Sequence, residues 1–320
     1  MRKLIIVLII LCLCIVPFGI YRHFNNKGEA VQVEIPQGLP AGKIADLLKE
    51  KNIIESTLWF KICLKFSGAA PLLRSGVFNL NKNTSSCEVI WRLTTDSGAE
   101  LQKVVILEGW RSEEIAEELL KNRVIEDLTS FVQTVQQEEA EGYLFPSTYL
   151  FRKNTSPKEI IKVMTDEYRK QVSPLISQAA PSLSEREILT LASIVEREAI
   201  FDDERPKIAA VYLNRLKIGK RLEADPTVQY ALGFNVPENR HWKKNLTLQD
   251  LRCDSPFNTY RNAGLPPAPI ANPSLSSIKA VLNPQPDFPA LYFVADNTGR
   301  HVFSRTYDQH IKNIRAVRSK

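Results

Sequence analysis

Apolar residues recur at helical spacing between Ile188 and Ala199. On a wheel turning roughly 100° per residue, Ile188, Ala192, Val195 and Ala199 form one stripe, with Leu189 and Leu191 on its flanks. Ser184 precedes the run as an N-cap, and Glu187 three residues on completes a capping box. Arg197 falls on the far side of this predicted helix and Glu198 falls past the stripe's edge. Glu196 falls inside the stripe, beside Ala192 and Leu189. The same spacing predicts helices over 157–172, 204–216, 274–282 and 307–317, and shorter ones over 58–66 and 85–93. Residues 76–80 read as a short strand. Leu291–Ala295 and His301–Phe303 read as a hairpin around Asp296-Asn-Thr-Gly299.

The pattern also repeats. Val33-Glu-Ile-Pro-Gln-Gly38 leads into a helix with Ile44, Ala45, Leu47 and Leu48, closing at Ile53-Ile54. Val104-Val-Ile-Leu-Glu-Gly109 leads into another with Ile115, Ala116, Leu119 and Leu120, closing at Val124-Ile125. Each copy reads as strand, glycine turn and amphipathic helix, a structural duplication. The second copy runs into Glu141-Gly-Tyr-Leu-Phe-Pro-Ser-Thr-Tyr149, too aromatic for an ordinary exposed loop and readable as a buried turn held by Pro146. Asp225-Pro226 reads as a turn. Gly264–Pro273 is stiff with prolines, so it either frames a groove at low entropic cost or is a rigid connection. Strands and helices mix throughout, which predicts an α+β fold.

Ahead of all this lies Leu4–Ile20, an uncharged run after Arg2 and Lys3, near the lower length limit for a spanning helix. No small-x-small cleavage site follows it, and Leu11 and Leu13 precede Cys12 and Cys14 where a lipoprotein needs a small residue. The expectation is an uncleaved single-pass signal anchor over 1–21, a polar linker over 22–30, and all later residues outside the cytoplasmic membrane.

Composition adds bounds rather than a function. The chain of 320 residues is 44% hydrophobic and 24% charged, so it can bury a full core. Its net charge of +6 is spread along the sequence, without a basic run or motif for nucleic acid. Cys63, Cys87 and Cys253 form no C-x-x-C pair. A Cys63–Cys87 disulfide and free buried thiols both remain open. His23, His241, His301 and His310 form no metal-ligand spacing, and there is no phosphate loop or G-x-S-x-G elbow, so neither metal nor cofactor is expected.

That leaves Glu196. A carboxyl in an apolar sector is expected to lose water, and desolvation favours a protonated acid able to give its proton to a leaving oxygen. The alternative is a boundary glutamate paired with Arg197 or another cation.

Five motifs in order then resemble one family: Leu191-Ala-Ser-Ile-Val-Glu-Arg-Glu198, Asp225-Pro-Thr-Val-Gln-Tyr230, Asn258-Thr-Tyr260, Gly264-Leu-Pro-Pro267 and Tyr292-Phe-Val-Ala-Asp296. Together with Glu141–Pro146 they are similar to the endolytic murein transglycosylases of the YceG-like family. Ser147 and Ala268 depart from the family's usual residues. The resemblance implies a LysM-like α+β subdomain over 31–100 and a mixed α+β catalytic domain over 101–320. It implies a lytic transglycosylase, a lyase that cleaves the MurNAc–GlcNAc β-1,4 bond within nascent peptidoglycan and leaves a 1,6-anhydro end, with Glu196 as the catalytic acid and base. It also implies peptidoglycan synthases such as penicillin-binding proteins as partners, and a place on the outer side of the bacterial cytoplasmic membrane. Thr227, Gln229, Asn258, Thr259 and Tyr260 become candidates to bond sugar hydroxyls and N-acetyl groups, and Tyr143 and Tyr230 to stack on sugar faces. Asp225 is the candidate second carboxylate, or else the cap of an Asp-Pro turn. With Asp225 as partner, a muramidase is the competing enzyme. A non-catalytic wall-binding scaffold is the competing non-enzyme.

Overall fold

The computed structural model describes residues 28–95, 101–179 and 182–319. They form two compact units, one ending at Leu101 and one running from Gln102. The fold is α+β, with three two-stranded sheets among the described residues. No helix among those residues is long and apolar enough to cross a membrane. The Leu4–Ile20 run read as an anchor lies outside them.

The first unit runs β1 (Ala30–Ile35), α1 (Ala41–Glu50), α2 (Thr57–Ser67), β2 (Gly76–Asn81) and α3 (Ser86–Thr95). The strands pair antiparallel with Val33 opposite Phe78. Strand alternation turns Val33, Ile35, Phe78 and Leu80 inward. They meet Ile44, Ala45 and Leu48 of α1, Phe60 and Leu64 of α2, and Val89 and Leu93 of α3. Cys63 and Cys87 are free thiols whose Sγ atoms touch at 3.6 Å.

The second unit opens with the same device: β3 (Leu101–Val105), α4 (Ser112–Lys121), α5 (Leu128–Gln137), β4 (Thr148–Arg152) and α6 (Pro157–Gln171). Gly38 and Gly109 both hold left-handed turns, at φ 78° and 73°. The duplication extends well past the stretch legible in sequence. Ile53 N–H donates to Leu48 O and Val124 N–H to Leu119 O, both at 2.9 Å. Thr84 N–H donates to Ile53 O at 2.8 Å and Thr155 N–H to Val124 O at 2.9 Å. Phe60 and Phe131 are both fully buried. Beyond Ile125 the copies keep burial and geometry, but identities thin out to pairs such as Phe60/Phe131 and Thr84/Thr155 among changes such as Leu64 to Val135, too sparse to stand out in sequence. The segment read as a buried turn is a turn over 141–147, and β4 follows it with Tyr149 and Phe151 at its buried alternate positions.

The rest of the unit is α7 (Ser173–Ala179), α8 (Glu185–Glu198), α9 (Arg205–Lys217), α10 (Asp225–Leu232), α11 (Leu275–Leu282), the β5 (Tyr292–Ala295)–β6 (His301–Ser304) hairpin and α12 (Tyr307–Arg318). Asp225-Pro226 starts a helix rather than a turn, because proline's missing N–H and fixed φ suit the first helical turn. Helix α8 lies among α9, α10 and α11. Ile188 to Val195 are all buried, so the helix is enclosed on every side. The polar residues within it are satisfied locally: Thr190 Oγ1 donates to Arg186 O, and Ser193 Oγ donates to Thr190 O while accepting from Ile270 N–H.

Phe60 and Phe131 fill the same place in the two copies. Truncating either to Ala should cost about 3–5 kcal/mol. Denaturant unfolding of the two variants checks this, and a loss below about 1 kcal/mol at either position would show that the ring does not hold that copy's core.

Candidate active site around Glu196

Glu196 occupies the last turn of α8 with its side chain 7% exposed. Its Oε2 accepts from the Ser274 backbone N–H at 2.9 Å and from the Ser274 hydroxyl. Arg205 Nη1 approaches the same oxygen at 3.2 Å. Ser274 is the N-cap of α11, and its Oγ also accepts from Ser277 N–H at 3.1 Å. Arg205, first residue of α9 and itself buried, donates to Ser277 Oγ at 2.6 Å and to Asp202 Oδ1 at 2.8 Å. The end of α8 and the starts of α9 and α11 therefore converge on one carboxylate oxygen. Two donors and a cation on that oxygen offset the cost of burying its charge. The other oxygen, Oε1, receives no hydrogen bond from a described residue.

Burial matches the helical wheel, but the expected apolar surroundings do not. The wheel sees only residues of its own helix, while the polar cradle comes from segments far along the chain. The cation is Arg205 and not Arg197. Arg197 instead lies with its guanidinium 4.0 Å from the Trp242 ring centre and donates to Gly109 O at 3.4 Å.

The Glu108–Gly109 turn closes the other side. A Cβ on Gly109 would stand 3.3 Å from Glu196 Cγ at a φ of +73°, so the turn needs glycine for both space and conformation. Glu108 beside it is exposed. Partial burial, followed by the charge of Glu196, pushes its carboxyl above the usual range, and Arg205 opposes this. Glu108 is thus the carboxyl that feels Glu196. Asp225 is not: its Oδ1 accepts from the Tyr260 hydroxyl at 2.6 Å and its charge acts on Glu198.

Asn272, fully buried, fastens this turn to its neighbours. Its carbonyl accepts from Gly109 N–H at 2.9 Å and its N–H donates to Trp110 O at 2.8 Å. Its side-chain Oδ1 accepts from Gly142 and Leu144 N–H, both at 2.9 Å, and its Nδ2 donates to Glu141 Oε1 at 2.8 Å. The proline-rich segment left open as groove or connection is therefore a clamp that ends by presenting Ser274. Glu141 also accepts from Ser112 N–H at 3.1 Å. Burial pushes its carboxyl up to about 7.

The remaining candidates divide by exposure. Thr227, Asn258 and Thr259 are buried. Thr227 and Thr259 share a hydrogen bond of 2.8 Å, and Asn258 Nδ2 donates to Leu251 and Cys253 carbonyls. Gln229 Nε2 donates to Lys243 O at 2.7 Å. Tyr230 is half-buried, with the Arg111 guanidinium 4.2 Å from its ring centre. Tyr143 lies in a cleft of about 630 Å³ with Glu139, Tyr168, Glu185 and Arg186. That cleft is at the N-terminal end of α8, roughly 15 Å of helix away from Glu196. Among the described residues no three His, Cys, Asp or Glu side chains gather as a metal ion requires.

Sequence reasoning missed Glu108, Arg205, Glu198, Asn272 and Ser274 as members of this neighbourhood. Ser274 was legible only as the start of a helix and Arg205 only as a residue inside one. Glu198, placed beyond the apolar stripe, is in fact largely enclosed and accepts from the Tyr212 hydroxyl at 2.8 Å. Burial pushes its carboxyl up to about 7, and the Asp225 charge adds to this.

Glu198 gives a pH dependence. The folded state holds this proton more tightly than an unfolded chain with a value near 4.5. Its contribution to stability is therefore full below about 4.5, falls as pH rises towards about 7 and is flat above. Glu198→Gln should flatten that fall and gain on the order of 2 kcal/mol at pH 8, read by urea unfolding at pH 5 and pH 8. An unchanged pH profile would remove Glu198 as its source. Asn272→Ala, which strands Gly142 N–H, Leu144 N–H and Glu141 Oε1, should cost roughly 3–6 kcal/mol in the same assay, whereas a loss under about 1 kcal/mol would mean that water replaces its bonds.

The YceG-like family profile matches residues 33–316. A Bacillus subtilis protein named endolytic murein transglycosylase is 34% identical over 90% of this chain and 85% of its own length. A Streptococcus pneumoniae serotype 2 protein of the same name is 30% identical over 90% of this chain, which spans only 58% of that longer relative. The crystal structure of a YceG-like protein from Listeria monocytogenes superposes with a TM-score of 0.55 at 29% identity, over 89% of this chain and 98% of that one. With that profile running through both units and past the Glu196 cradle, the chain belongs to the YceG-like family.

Proposed function

We propose that this chain is a membrane-anchored endolytic lytic transglycosylase that cuts the MurNAc–GlcNAc β-1,4 bond within nascent peptidoglycan strands. The observation that carries this reading is the asymmetry of Glu196. One carboxyl oxygen is fixed by Ser274 and Arg205, and the other is left without a partner among the described residues. The shared name of its bacterial relatives supports the substrate class.

In this reading Oε1 carries the working proton. It passes to the glycosidic oxygen as the C1–O bond breaks, and the GlcNAc unit leaves with a free 4-hydroxyl. Glu196 is then a carboxylate, the form that Ser274 and Arg205 stabilise. The MurNAc C6 hydroxyl attacks C1, and Glu196 takes the proton it releases. The acid is regenerated, a 1,6-anhydro ring closes and no water is consumed. A single carboxyl group suffices because the nucleophile belongs to the substrate. The anchor at 1–21 would hold the enzyme on the outer face of the cytoplasmic membrane. There it would meet new strands beside peptidoglycan synthases such as penicillin-binding proteins.

Glu108 favours a second reading, a muramidase in which that carboxyl activates water for attack at C1. Product analysis on intact glycan strands separates the two. The lytic reading expects anhydro ends from wild type and from Glu108→Gln. It expects roughly 10²–10⁴-fold less product from a folded Glu196→Gln. Reducing ends one water heavier that vanish in Glu108→Gln would establish the hydrolase instead. Undiminished product from Glu196→Gln would overturn both.

A further inference from the structure

Helix α2 carries two apolar faces. Phe60 and Leu64 point inward and close the core of the first unit. Leu58, Trp59, Ile62 and Phe66 fall together on the outward side of the wheel, where a surface helix is normally polar. Leu58 is 69% exposed, Trp59 58% and Phe66 89%. Trp91 of α3, 59% exposed, extends the same face. The Cys63 and Cys87 thiols touch where the two helices meet. Trp59 and Phe66 lie one turn either side of Cys63, and Trp91 lies one turn after Cys87, so all three rings border that seam. A contiguous apolar patch of this kind, on a unit with a complete core of its own, marks a surface that is covered in use.

We infer that this face seats on the lipid headgroup–acyl boundary of a membrane. The inference rests on reading Leu4–Ile20 as an anchor. Only residues 21–29 separate that run from β1, so the first unit cannot travel more than about 30 Å from the bilayer surface. The chemistry of the patch suits an interface. Tryptophan settles at the headgroup level, aliphatic and phenyl side chains enter the acyl boundary, and lysines meet anionic headgroups. Lys61 and Lys65, both exposed, supply those cations from α2 itself. A sugar ring could stack on Trp59 or Trp91 but has no use for Leu58, Ile62 and an almost wholly bare Phe66.

The test uses the full chain reconstituted in phosphatidylcholine–phosphatidylglycerol vesicles, with and without brominated acyl chains. Tryptophan emission should be blue-shifted and lose intensity with brominated lipid. Trp59→Phe/Trp91→Phe should remove most of that loss, leaving only the share of Trp110 and Trp242. Trp59→Ser/Phe66→Ser should weaken the quenching of Trp91. A chain that floats with the vesicles while its emission is quenched by aqueous iodide and not by brominated lipid would overturn the seating and leave the anchor intact. A chain that does not float would overturn the anchor and the seating with it. Protection from iodide that appears only with added glycan strands, or only on dimerisation in sedimentation, would assign the face to sugar or to a second copy and overturn the proposal.

Discussion

Asn272 is the constraint on which the rest of the site depends. A buried primary amide has two donors and two acceptor lone pairs, and here they bind Trp110 O and the 141–144 segment. With the Asn272 backbone bonded to Gly109 and Trp110, both segments are tied to the proline-rich clamp. Ser274 follows two residues later and supplies two of the donors to Glu196. The surroundings of the Glu196 carboxyl are thus set less by α8 than by the amide that fixes both walls beside it. Prolines in the clamp contribute by removing freedom that would otherwise be lost on ordering. Pro269 lies so close to Gly142 that any Cβ there would stand 2.5 Å from its ring.

The proposed reaction asks two things of Glu196 at two moments. An acid wants a dry, neutral environment and the carboxylate it leaves behind wants donors and a cation. The donors and the cation divide unevenly: all fall on Oε2, and none from a described residue reaches Oε1. Arg205 can remain charged and buried because Asp202, Ser277 and Glu196 share its donors. Glu198, two residues on and turned to another side of the helix, meets Tyr212 instead and plays no part in that division.

How much of this could be read from the sequence depends on range. Elements whose signals are local were legible: the capping box at Ser184, the hairpin around Asp296–Gly299, the short helix after Ser274 and the C-terminal helix all occur as expected. Glu196 was singled out because an acidic residue in an apolar stripe is a local anomaly. Its partners were not legible, since nothing near Ser274 or Arg205 marks them as neighbours of a residue on another helix. The wheel also misjudged Glu198, because it assumes one buried face and α8 is buried all round. Thr227, Asn258 and Thr259 drew notice as polar residues in motifs. In the fold their polar atoms bond one another and nearby backbone, which is the work buried polar residues must do wherever they lie.

The internal duplication gives this division of labour a physical explanation. The two copies share strand, left-handed glycine, helix and burial, so either one satisfies the requirements of folding. They differ at the turn. In the first copy the residue before Gly38 is Gln37, and a Cβ on Gly38 would meet nothing within 4 Å. In the second, Glu108 stands at the equivalent place, and Gly109 is pressed between Glu196 and Arg197. The glycine in the first copy is needed for conformation alone. In the second it is needed for conformation and for room beside a carboxyl group. The same turn geometry thus stands free in one copy and forms one wall beside Glu196 in the other. What sets the second turn apart is its tie through Asn272 to the segment bearing Ser274.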